Sequence, residues 1–578
     1  MSRGEIRPPA RRFFRVSLAC LLLVGLALRL PALSASSTSY RLSEAFSGEE
    51  VENVRISTGM LHRHSPNPHA FEYPSLFYYL SLAVESGLES LGLRSWTAYL
   101  IGVRSLSLLF GLGTIVLTAL IARRIAGDAA GILAATLVTF DHTLIDFSAL
   151  AKPNAGQLFF LLAAFLALVS LASGSGFRQA LWAAALLAMA TASKWLGGLG
   201  LAGLALAPLL VPAARSSPGW TRFRDSIIQG LHRPTPAWKL FLPPLVFLAV
   251  FFACVPYSIL SPREFGFGLA QAVTAQSLHR RDLPFWAPAG FLGHSMGSIA
   301  GLLAIGALAW AARRMARWDG EAHDRSLLLI VGWVLAYGAL TMFVFVRLAG
   351  YVDLWVPFVA ILTGCAWVGE RGLLAGRGWA WLLTIVACFS GFATRGPEAL
   401  AVARGAARFD SRTASGNWLN AHAEDSDRVL ADLGLFVPDR IHGVDWNSWG
   451  SPPRVVYDES ATWGADPIWP DWTGGHRRLI FENVKWQRPS FLLATRPRWV
   501  VTSSDWSEVR AHPGIASESA DPDFDRALET GSAGYVVRAR FAPSPSPGAW
   551  RLLALEGPAG PPREYYGGPR ITIFERVR

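Results

Sequence analysis

The sequence is short of charged residues. They make up 16% of its 578 residues, whereas soluble globular chains carry about 25%. Hydrophobic residues account for 52%, and the mean hydropathy is +0.31. This balance excludes a disordered chain, a collagen-like repeat and an ordinary soluble enzyme. Because apolar runs of the roughly 20 residues that cross a bilayer recur through the first two thirds of the chain, the sequence predicts a polytopic membrane protein.

Lysine is scarce among the basic residues. Lys and Arg together number 53 and the net charge is +11, yet the only lysines are Lys152, Lys194, Lys239 and Lys485. The arginines cluster in short loops between apolar runs, which is the positive-inside pattern of cytoplasmic loops. Because no recognition motif accompanies the charge, we expect membrane lipids as partners and no nucleic acid. Such arginine-rich usage is typical of a high-GC bacterium, which predicts an inner (plasma) membrane location.

Cysteine is also rare. The four cysteines, Cys20, Cys254, Cys365 and Cys388, lie inside apolar runs without a CxxC pair. This placement argues against a disulfide framework and against a structural zinc site. We read them as small buried residues.

Eleven apolar runs predict membrane spans. Their approximate bounds are 16–33, 101–122, 129–148, 155–174, 179–194, 196–213, 240–261, 291–312, 326–346, 350–368 and 377–394. The first run has a second interpretation as a cleaved signal peptide, but we prefer an uncleaved span because many spans follow. Alternation of the arginine-rich loops puts the N-terminus in the cytoplasm and the C-terminus outside. In the long first external loop, 34–100, we read residues 72–92 as a helix at the outer interface with its aromatic side towards the membrane.

The composition changes after residue 395. Residues 1–395 form the predicted transmembrane domain, whereas 396–578 are polar and rich in Asp, Pro and Gly. Short apolar runs between turn signals are typical of strands, and they occur here at 428–431, 499–502 and 571–574. With a helical stretch around Trp418-Leu419, they predict an extracytoplasmic α/β or α+β domain at the C-terminus.

The first external loop carries two adjacent carboxylates, Glu49 and Glu50. Ser47 and Glu50 fit the capping box of a helix over 48–61, and Glu49 would complement the dipole of that helix. The functional interpretation makes one of the pair a base at the membrane surface, since adjacent carboxylates repel and one pKa rises. Spacing alone leaves both interpretations open.

Five short motifs follow one another along the chain. They are Glu49-Glu50 with Asn67-Pro68 and Tyr73-Pro74-Ser75-Leu76, then Ala151-Lys152-Pro153-Asn154, the segment Ala190 to Trp195, Val255-Pro256-Tyr257, and Val346-Arg347 with Tyr351 and Pro357. In this order, and on the predicted outer side, they resemble the GT-C superfamily of integral membrane glycosyltransferases. The nearest branch is glycosyltransferase family 39, with its protein O-mannosyltransferases and lipid A aminoarabinose transferases. The resemblance covers about residues 13–395.

The resemblance implies a GT-C fold and an inverting enzyme. Such an enzyme transfers a sugar from a polyprenyl-phosphate carrier to a lipid, glycan or protein acceptor outside the cytoplasm. In this chain Glu49 and Glu50 take the position of the catalytic base, and Glu49 is the first choice. The positions that correspond to donor-phosphate contacts are Lys152, Asn154, Lys194, Arg347 and Tyr351.

Three departures from the family pattern affect these positions. The first acidic pair of the family is usually Asp-Glu, and here it is Glu49-Glu50. The second external loop of the family usually holds Asp where this chain has Asn154, and the arginine before Tyr351 is replaced by Gly350. A neutral side chain at 154 argues against a divalent metal, so the resemblance implies no certain cofactor.

The basic residues near the predicted outer membrane ends have a second interpretation. Lys152, Lys194 and Arg347 either contact the donor phosphate or extend towards the interface to reach water.

The predicted acceptor side also has alternatives. His69 and Tyr73 would lie by the acceptor path, although His69 also fits a solvated turn beside a proline. Arg280 and Arg281 make the outward loop 262–290 unusually basic. They either meet the sugar phosphate of the donor or bind lipid headgroups.

Two other classes of function stay open. A transporter or lipid flippase would show internal repeats and broken helices near the midplane, but the sequence shows no convincing repeat. A non-catalytic scaffold in envelope assembly would agree with the departures at Asn154 and Gly350.

Overall fold

The structure is a computed structural model. It describes residues 8–34, 48–207, 236–278, 298–317, 321–343, 353–374, 382–390, 411–424, 427–431, 442–443, 496–504, 523–541 and 570–577, with isolated positions at 221, 224, 228, 295–296, 393, 492 and 507.

Helices dominate the part of the chain up to residue 390. They are α1 (Pro8–Leu33), α2 (Gly48–His62), α3 (Leu76–Ser90), α4 (Trp96–Ala126), α5 (Asp128–Thr139), α6 (His142–Ala149), α7 (Pro153–Ala172), α8 (Arg178–Ser193), a 3-10 helix (Trp195–Gly200), α9 (Leu201–Leu206), α10 (Ala237–Cys254), α11 (Tyr257–Leu260), α12 (Pro262–Leu278), α13 (Ser298–Ala316), α14 (Ala322–Phe343), α15 (Val356–Val368) and α16 (382–390). Helices α4 to α8, α14 and α15 enclose one large apolar core.

Each of the eleven predicted spans coincides, in whole or in part, with helical structure. Within the described residues, α1, α4, α7 and α14 are long and apolar enough to cross a bilayer. Helices α5 and α6 meet at a bend of 65° and would together make a fifth span. The prediction of a multi-pass helical protein is therefore confirmed, whereas the count of eleven spans stays a prediction.

The polar connections between helices gather at two ends of the bundle. At one end, Arg325 donates to the carbonyl of Ala172 over 2.8 Å, and the backbone N–H of Glu370 donates to the carbonyl of Ala126 over 3.2 Å. These four residues lie in or beside loops that the arginine pattern assigns to the cytoplasm. Loops assigned to one side of the membrane thus meet one another, which agrees with the predicted alternation.

Helix α3 occupies the segment predicted to lie at the outer interface. With 15 residues it is about 23 Å long at 1.5 Å per residue, shorter than the roughly 30 Å hydrocarbon core. Phe77 and Tyr78 on this helix are each 2% exposed and pack inside the protein, Phe77 against Trp96 and Tyr99 of α4. The expectation that the aromatic side faces the membrane is therefore wrong for these two residues, because neighbouring helices cover them.

The C-terminal region contains a five-stranded mixed sheet. Its elements are α17 (Ser411–His422), β1 (Arg428–Ala431), β2 (His442–Gly443), β3 (Trp499–Ser503), α18 (Asp523–Glu529), β4 (Tyr535–Phe541) and β5 (Ile571–Arg576). The strand order is β2-β1-β3-β5-β4, with β1 parallel to both its neighbours and β5 antiparallel to both of its own. The three predicted strands and the helix around 418–419 are confirmed.

Side-chain alternation gives this sheet two buried faces. Val500 packs with Phe524 and Leu528 of α18, whereas its neighbour Val501 packs with Leu419 of α17. Successive residues of a strand point to opposite faces, so a helix on each face explains why β3 is apolar at consecutive positions. The region is an α/β layered unit, one of the two predicted classes.

Glu85 is a buried carboxyl group between α2 and α3. The Ser57 hydroxyl donates to its Oε1 over 2.6 Å. Burial raises the pKa of Glu85 to about 8, an effect to which the nearby Glu89 adds and which the hydroxyls of Ser57 and Thr58 oppose. The folded protein therefore holds this proton up to a higher pH than the unfolded chain does.

We predict that Glu85→Gln weakens the pH dependence of stability. Between about 4.5 and 8 the unfolded chain has released the proton that the folded protein retains, so the free energy of unfolding falls as pH rises through that window. Glutamine does not titrate and removes this component. Thermal unfolding midpoints in detergent, measured across this window, should fall less steeply for Glu85→Gln than for the wild type.

Glu52→Gln, at a partly exposed residue paired with Arg55, is the control and should follow the wild type. Equal slopes for Glu85→Gln and the wild type would contradict the assignment.

Candidate functional site

A fully buried ion pair joins the first external loop to the membrane helices. Arg104 of α4 donates from Nε to Glu50 Oε1 over 2.7 Å and from its terminal nitrogen to Oε2 over 2.8 Å. Both side chains are completely buried. The same guanidinium donates to the carbonyls of Ala32 (3.2 Å) and Leu33 (2.9 Å) at the end of α1. Such a two-pronged pair is both strong and geometrically specific, so it fixes α2 against α1 and α4.

The second external loop is held by the same helix. Glu50 Oε1 accepts the backbone N–H of Ala151 over 2.6 Å, and the Asn53 side chain donates to the Ala151 carbonyl over 3.1 Å. One residue later Lys152 adopts an extended conformation and precedes Pro153, the first residue of α7. Proline suits this position because its fixed φ fits the first helical turn and its missing N–H needs no partner there. The start of α7 is therefore set by contacts with α2.

These contacts distinguish Glu50 from the other predicted carboxylate, Glu49. Its oxygens accept bonds from Arg104 and from the Ala151 N–H, both on other elements of the fold, whereas Ser47, its partner in the predicted capping box, lies outside the described residues. Glu50 therefore has a structural contact with α4 and with the second external loop, and its catalytic role stays a prediction. Glu49 lies in the first turn of α2, but its side chain is outside the described residues. The predicted helix over 48–61 is confirmed as Gly48–His62.

Three predicted donor-side residues come together at the start of α7. Lys194, which follows α8, donates from Nζ to Asn154 Oδ1 over 3.1 Å. The Asn154 amide donates in turn to Asp353 Oδ2 over 2.8 Å, and Asp353 precedes α15. Lys152, two residues before Asn154 in the chain, is 6% exposed. The residues of this cluster come from three separate connections of the fold.

Tyr73 lies on the first external loop beside this cluster. The Lys194 ammonium sits over its ring, 5.2 Å from the centroid, within the range of a cation–π contact. The neighbouring Trp195 donates from its indole N–H to the carbonyl of Glu72 over 3.1 Å and stacks edge-on against Phe265 of α12. The first external loop is thereby anchored to both α8 and α12.

His69 joins the first external loop to α12. Its Nδ1 lies 3.2 Å from Glu264 Oε2, and the side chain of Asn67 donates to the same carboxylate over 3.3 Å. The backbone of His69 is left-handed, with φ of 53°, and its N–H donates to Asn67 Oδ1 over 3.1 Å. His69 and Glu264 are about half exposed. His69 is thus in a turn fixed by hydrogen bonds rather than a freely solvated one, and it is partly exposed.

Four other predicted site residues fall outside the part of the chain that the structure describes. They are Arg280, Arg281, Arg347 and Tyr351. Their proposed roles stay predictions.

The electrostatic character of the cluster suits an anion. The N-terminus of a helix carries roughly half a positive charge and unsatisfied N–H groups, and α7 begins here between Lys152 and Lys194. A small cavity opens at the same place, with Asn154, Asp353, Ser148 and Thr114 among its lining residues. Among the described residues, no group of three or more His, Cys, Asp and Glu side chains converges in a way that suits a metal ion.

Comparisons with known proteins show which family and which solved structures this chain is similar to. Residues 97–229 match the family described as dolichyl-phosphate-mannose-protein mannosyltransferase. The whole chain is similar in fold to the archaeal oligosaccharyltransferase AglB from Archaeoglobus fulgidus, determined in complex with an inhibitory peptide and a dolichol-phosphate. The match covers 98% of this chain and 89% of AglB, with 11% identity and a TM-score of 0.52. ArnT from Cupriavidus metallidurans, determined bound to undecaprenyl phosphate, is 14% identical over 86% of this chain and 94% of its own, with a TM-score of 0.46. No curated protein matches the sequence.

The fold is therefore of the GT-C type, as the resemblance implied. Within it, the match to the mannosyltransferase family begins in α4, includes α5 to α9 and continues to residue 229.

Two residues of the site, Arg104 and Asp353, were not among those predicted from the sequence. Arg104 lies near the start of the predicted span 101–122, and an ionisable residue inside a membrane segment is a functional candidate by default. Asp353 lies inside a predicted span, directly before Leu354 and Trp355, and the same rule would have singled it out. Their partners are distant in the chain: Glu50 lies 54 positions from Arg104, and Asn154 lies 199 positions from Asp353.

We predict that Arg104→Met destabilises the protein strongly. Removing one partner of a buried ion pair leaves an unpaired buried charge and costs about 3–5 kcal/mol. The double variant Glu50→Leu/Arg104→Met removes both charges and should recover most of the loss. Thermal and denaturant unfolding in detergent measures both effects.

The control for this pair is Arg123→Met, which breaks the partly exposed contact between Arg123 and Asp128. A partly exposed pair contributes about 1 kcal/mol or less. If Arg104→Met cost no more than Arg123→Met, the buried pair would not have the role assigned to it.

Proposed function

We propose that the protein is a membrane glycosyltransferase that moves a sugar from a polyprenyl-phosphate carrier to an acceptor outside the cytoplasm. The acceptor is a lipid, a glycan or a protein. The observation that carries the proposal is the cationic cluster at the start of α7, where Lys152 and Lys194 flank Asn154. This cluster suits the phosphate that links the lipid to the sugar.

The chemistry follows from the arrangement of charges. A carboxylate accepts the proton of the acceptor hydroxyl, and we assign this role to Glu49, beside the anchored Glu50. The acceptor oxygen attacks the anomeric carbon while the bond from that carbon to the phosphate oxygen breaks. A single displacement of this kind inverts the configuration at the carbon. The lipid monophosphate leaves with the bonding electron pair, and the two lysines stabilise its added charge.

The remaining predicted residues fit around this step as proposals. Arg347 and Tyr351 would complete the phosphate contacts, and Arg280 and Arg281 would meet the sugar phosphate. His69 and Tyr73 line the approach from the first external loop, which we assign to the acceptor. The arginine pattern puts this face outside the cytoplasm of an inner (plasma) membrane.

A lipid flippase is the second candidate because of one observation, the bend of 65° between α5 and α6. Broken helices are characteristic of transporters. Here the buried Arg29 of α1 donates to the Thr139 carbonyl at the break over 3.3 Å and to the Ser148 hydroxyl over 2.7 Å. The bond to Thr139 satisfies a carbonyl at the break, and the bond to Ser148 joins α1 to α6, so together they give the bend a structural explanation. Flux of a fluorescent polyprenyl phosphate across proteoliposomes, without any sugar transfer, would favour the flippase.

We predict that Glu49→Gln abolishes transfer. The amide cannot accept the proton, and general base catalysis contributes about 10²–10⁴-fold to such rates. Labelled polyprenyl-phosphate sugars offered to purified protein in membranes, with a panel of acceptor extracts, measure the rate. Glu52→Gln on the same helix, paired with the neighbouring Arg55, is the control and should keep wild-type activity. Full activity of Glu49→Gln would remove Glu49 from the mechanism and leave the class intact.

We predict that Lys152→Met and Lys194→Met each weaken donor binding. A hydrogen bond to a charged group contributes about 1.5–3 kcal/mol, so the donor KM should rise by about tenfold or more. Lys239→Met is the matched control, because Lys239 lies at the start of α10 beside Trp238, near the predicted cytoplasmic end. An unchanged donor KM in both site variants would place the phosphate elsewhere.

A further inference from the structure

Asp353 is a buried carboxylate that the proposed reaction has not yet used. It lies in the turn before α15 and is 2% exposed. Its Oδ1 accepts the backbone N–H of Leu354 over 2.7 Å, and its Oδ2 accepts the Asn154 amide over 2.8 Å. A buried charge is costly unless it is paired and hydrogen-bonded. The partners of the Asp353 carboxylate therefore indicate its role.

Asn154 connects this carboxylate to Lys194. An ammonium only donates hydrogen bonds, and a carboxylate only accepts them. The Asn154 side chain does both, because its carbonyl oxygen accepts from Lys194 while its amide donates to Asp353. These two neighbours fix the orientation of the amide. An aspartate at 154 would instead bring two carboxylates within hydrogen-bond distance, where they repel. Asn154 and Asp353 are therefore a matched pair.

The charge of Asp353 also acts on the ammonium. Lys194 and Asp353 attract each other electrostatically, and the side chain of Gln157 donates to the Lys194 carbonyl over 3.0 Å. Lys152 and the start of α7 add positive charge close by. Asp353 supplies a negative charge among these positive groups. A second carboxylate, Asp141 in the turn before α6, repels the charge of Asp353.

We propose that Asp353 is a positioning residue for the donor site. Through Asn154 it holds the Lys194 ammonium beside the ring of Tyr73, where it meets the phosphate of the lipid-linked sugar. This inference rests on the proposed function. We assign Asp353 no contact with the donor phosphate, because two anionic groups repel each other and its oxygens accept from Asn154 and Leu354.

The test is an exchange of the two side chains. Asp353→Asn removes the negative charge but keeps the size of the side chain, so Lys194 loses its fixed position. The donor KM should then rise about tenfold, which is the effect of losing one charge-assisted hydrogen bond. The acceptor KM should stay unchanged, which a general folding defect would not produce.

Asn154→Asp alone should also raise the donor KM, because it sets two carboxylates against each other. The double variant Asn154→Asp/Asp353→Asn restores one carboxylate and one amide, and it should return the donor KM to within about threefold of the wild type.

The outcomes separate this inference from the proposed function. If the wild type transfers sugar and Asp353→Asn has the wild-type donor KM, the inference is wrong and the function stands. If Asp353→Asn raises both KM values and lowers the unfolding midpoint together, Asp353 is structural and the inference is also wrong. If the wild type transfers from no donor, the proposed function fails. Binding of unsubstituted polyprenyl phosphate, measured by native mass spectrometry, then decides for Asp353, because equal binding by wild type and Asp353→Asn would overturn its role.

Discussion

The buried ion pair between Glu50 and Arg104 is the interaction on which the end of the bundle that holds the candidate site depends. It joins α1, α2 and α4, and through the Ala151 N–H it also sets the second external loop. A charge pair without water is stable only when its hydrogen bonds are complete. Here the carboxylate accepts three bonds and the guanidinium also caps carbonyls at the end of α1. This completeness explains why a loop between helices can present functional groups in a fixed arrangement.

The candidate site is assembled from the ends of helices rather than from their faces. Lys194 ends α8, Lys152 precedes α7 and Asp353 precedes α15. At an outer membrane end, a charged group can meet a lipid phosphate at the interface without entering the hydrocarbon core, where charge is expensive. The bridge through Asn154 lets one carboxylate hold one lysine at a place where Lys152 and the start of α7 add positive charge. The GT-C fold supplies the scaffold, and these side chains supply the chemistry that we propose.

Much of this arrangement was predictable from the sequence. Hydropathy and arginine placement indicated the helical runs, and turn signals indicated strands β1, β3 and β5. The resemblance assigned Lys194 and Asn154 to the donor phosphate; the structure joins them by a hydrogen bond, and their contact with a phosphate stays a prediction. The role of Glu50 was not predictable, because a capping box and a buried ion pair leave the same local pattern and only the packing of α2 on α4 distinguishes them. Asp353 was missed for a similar reason, since its partner lies 199 positions away in the chain.

The most direct test of the account is where the phosphate binds. A structure determined by electron cryo-microscopy with a bound polyprenyl phosphate would show it. The account predicts the phosphate at the start of α7, within hydrogen-bond distance of the Lys152 or Lys194 ammonium and with Asp353 still bonded to Asn154. A phosphate bound at the opposite end of the bundle, beside the arginines at the end of α4, would contradict it.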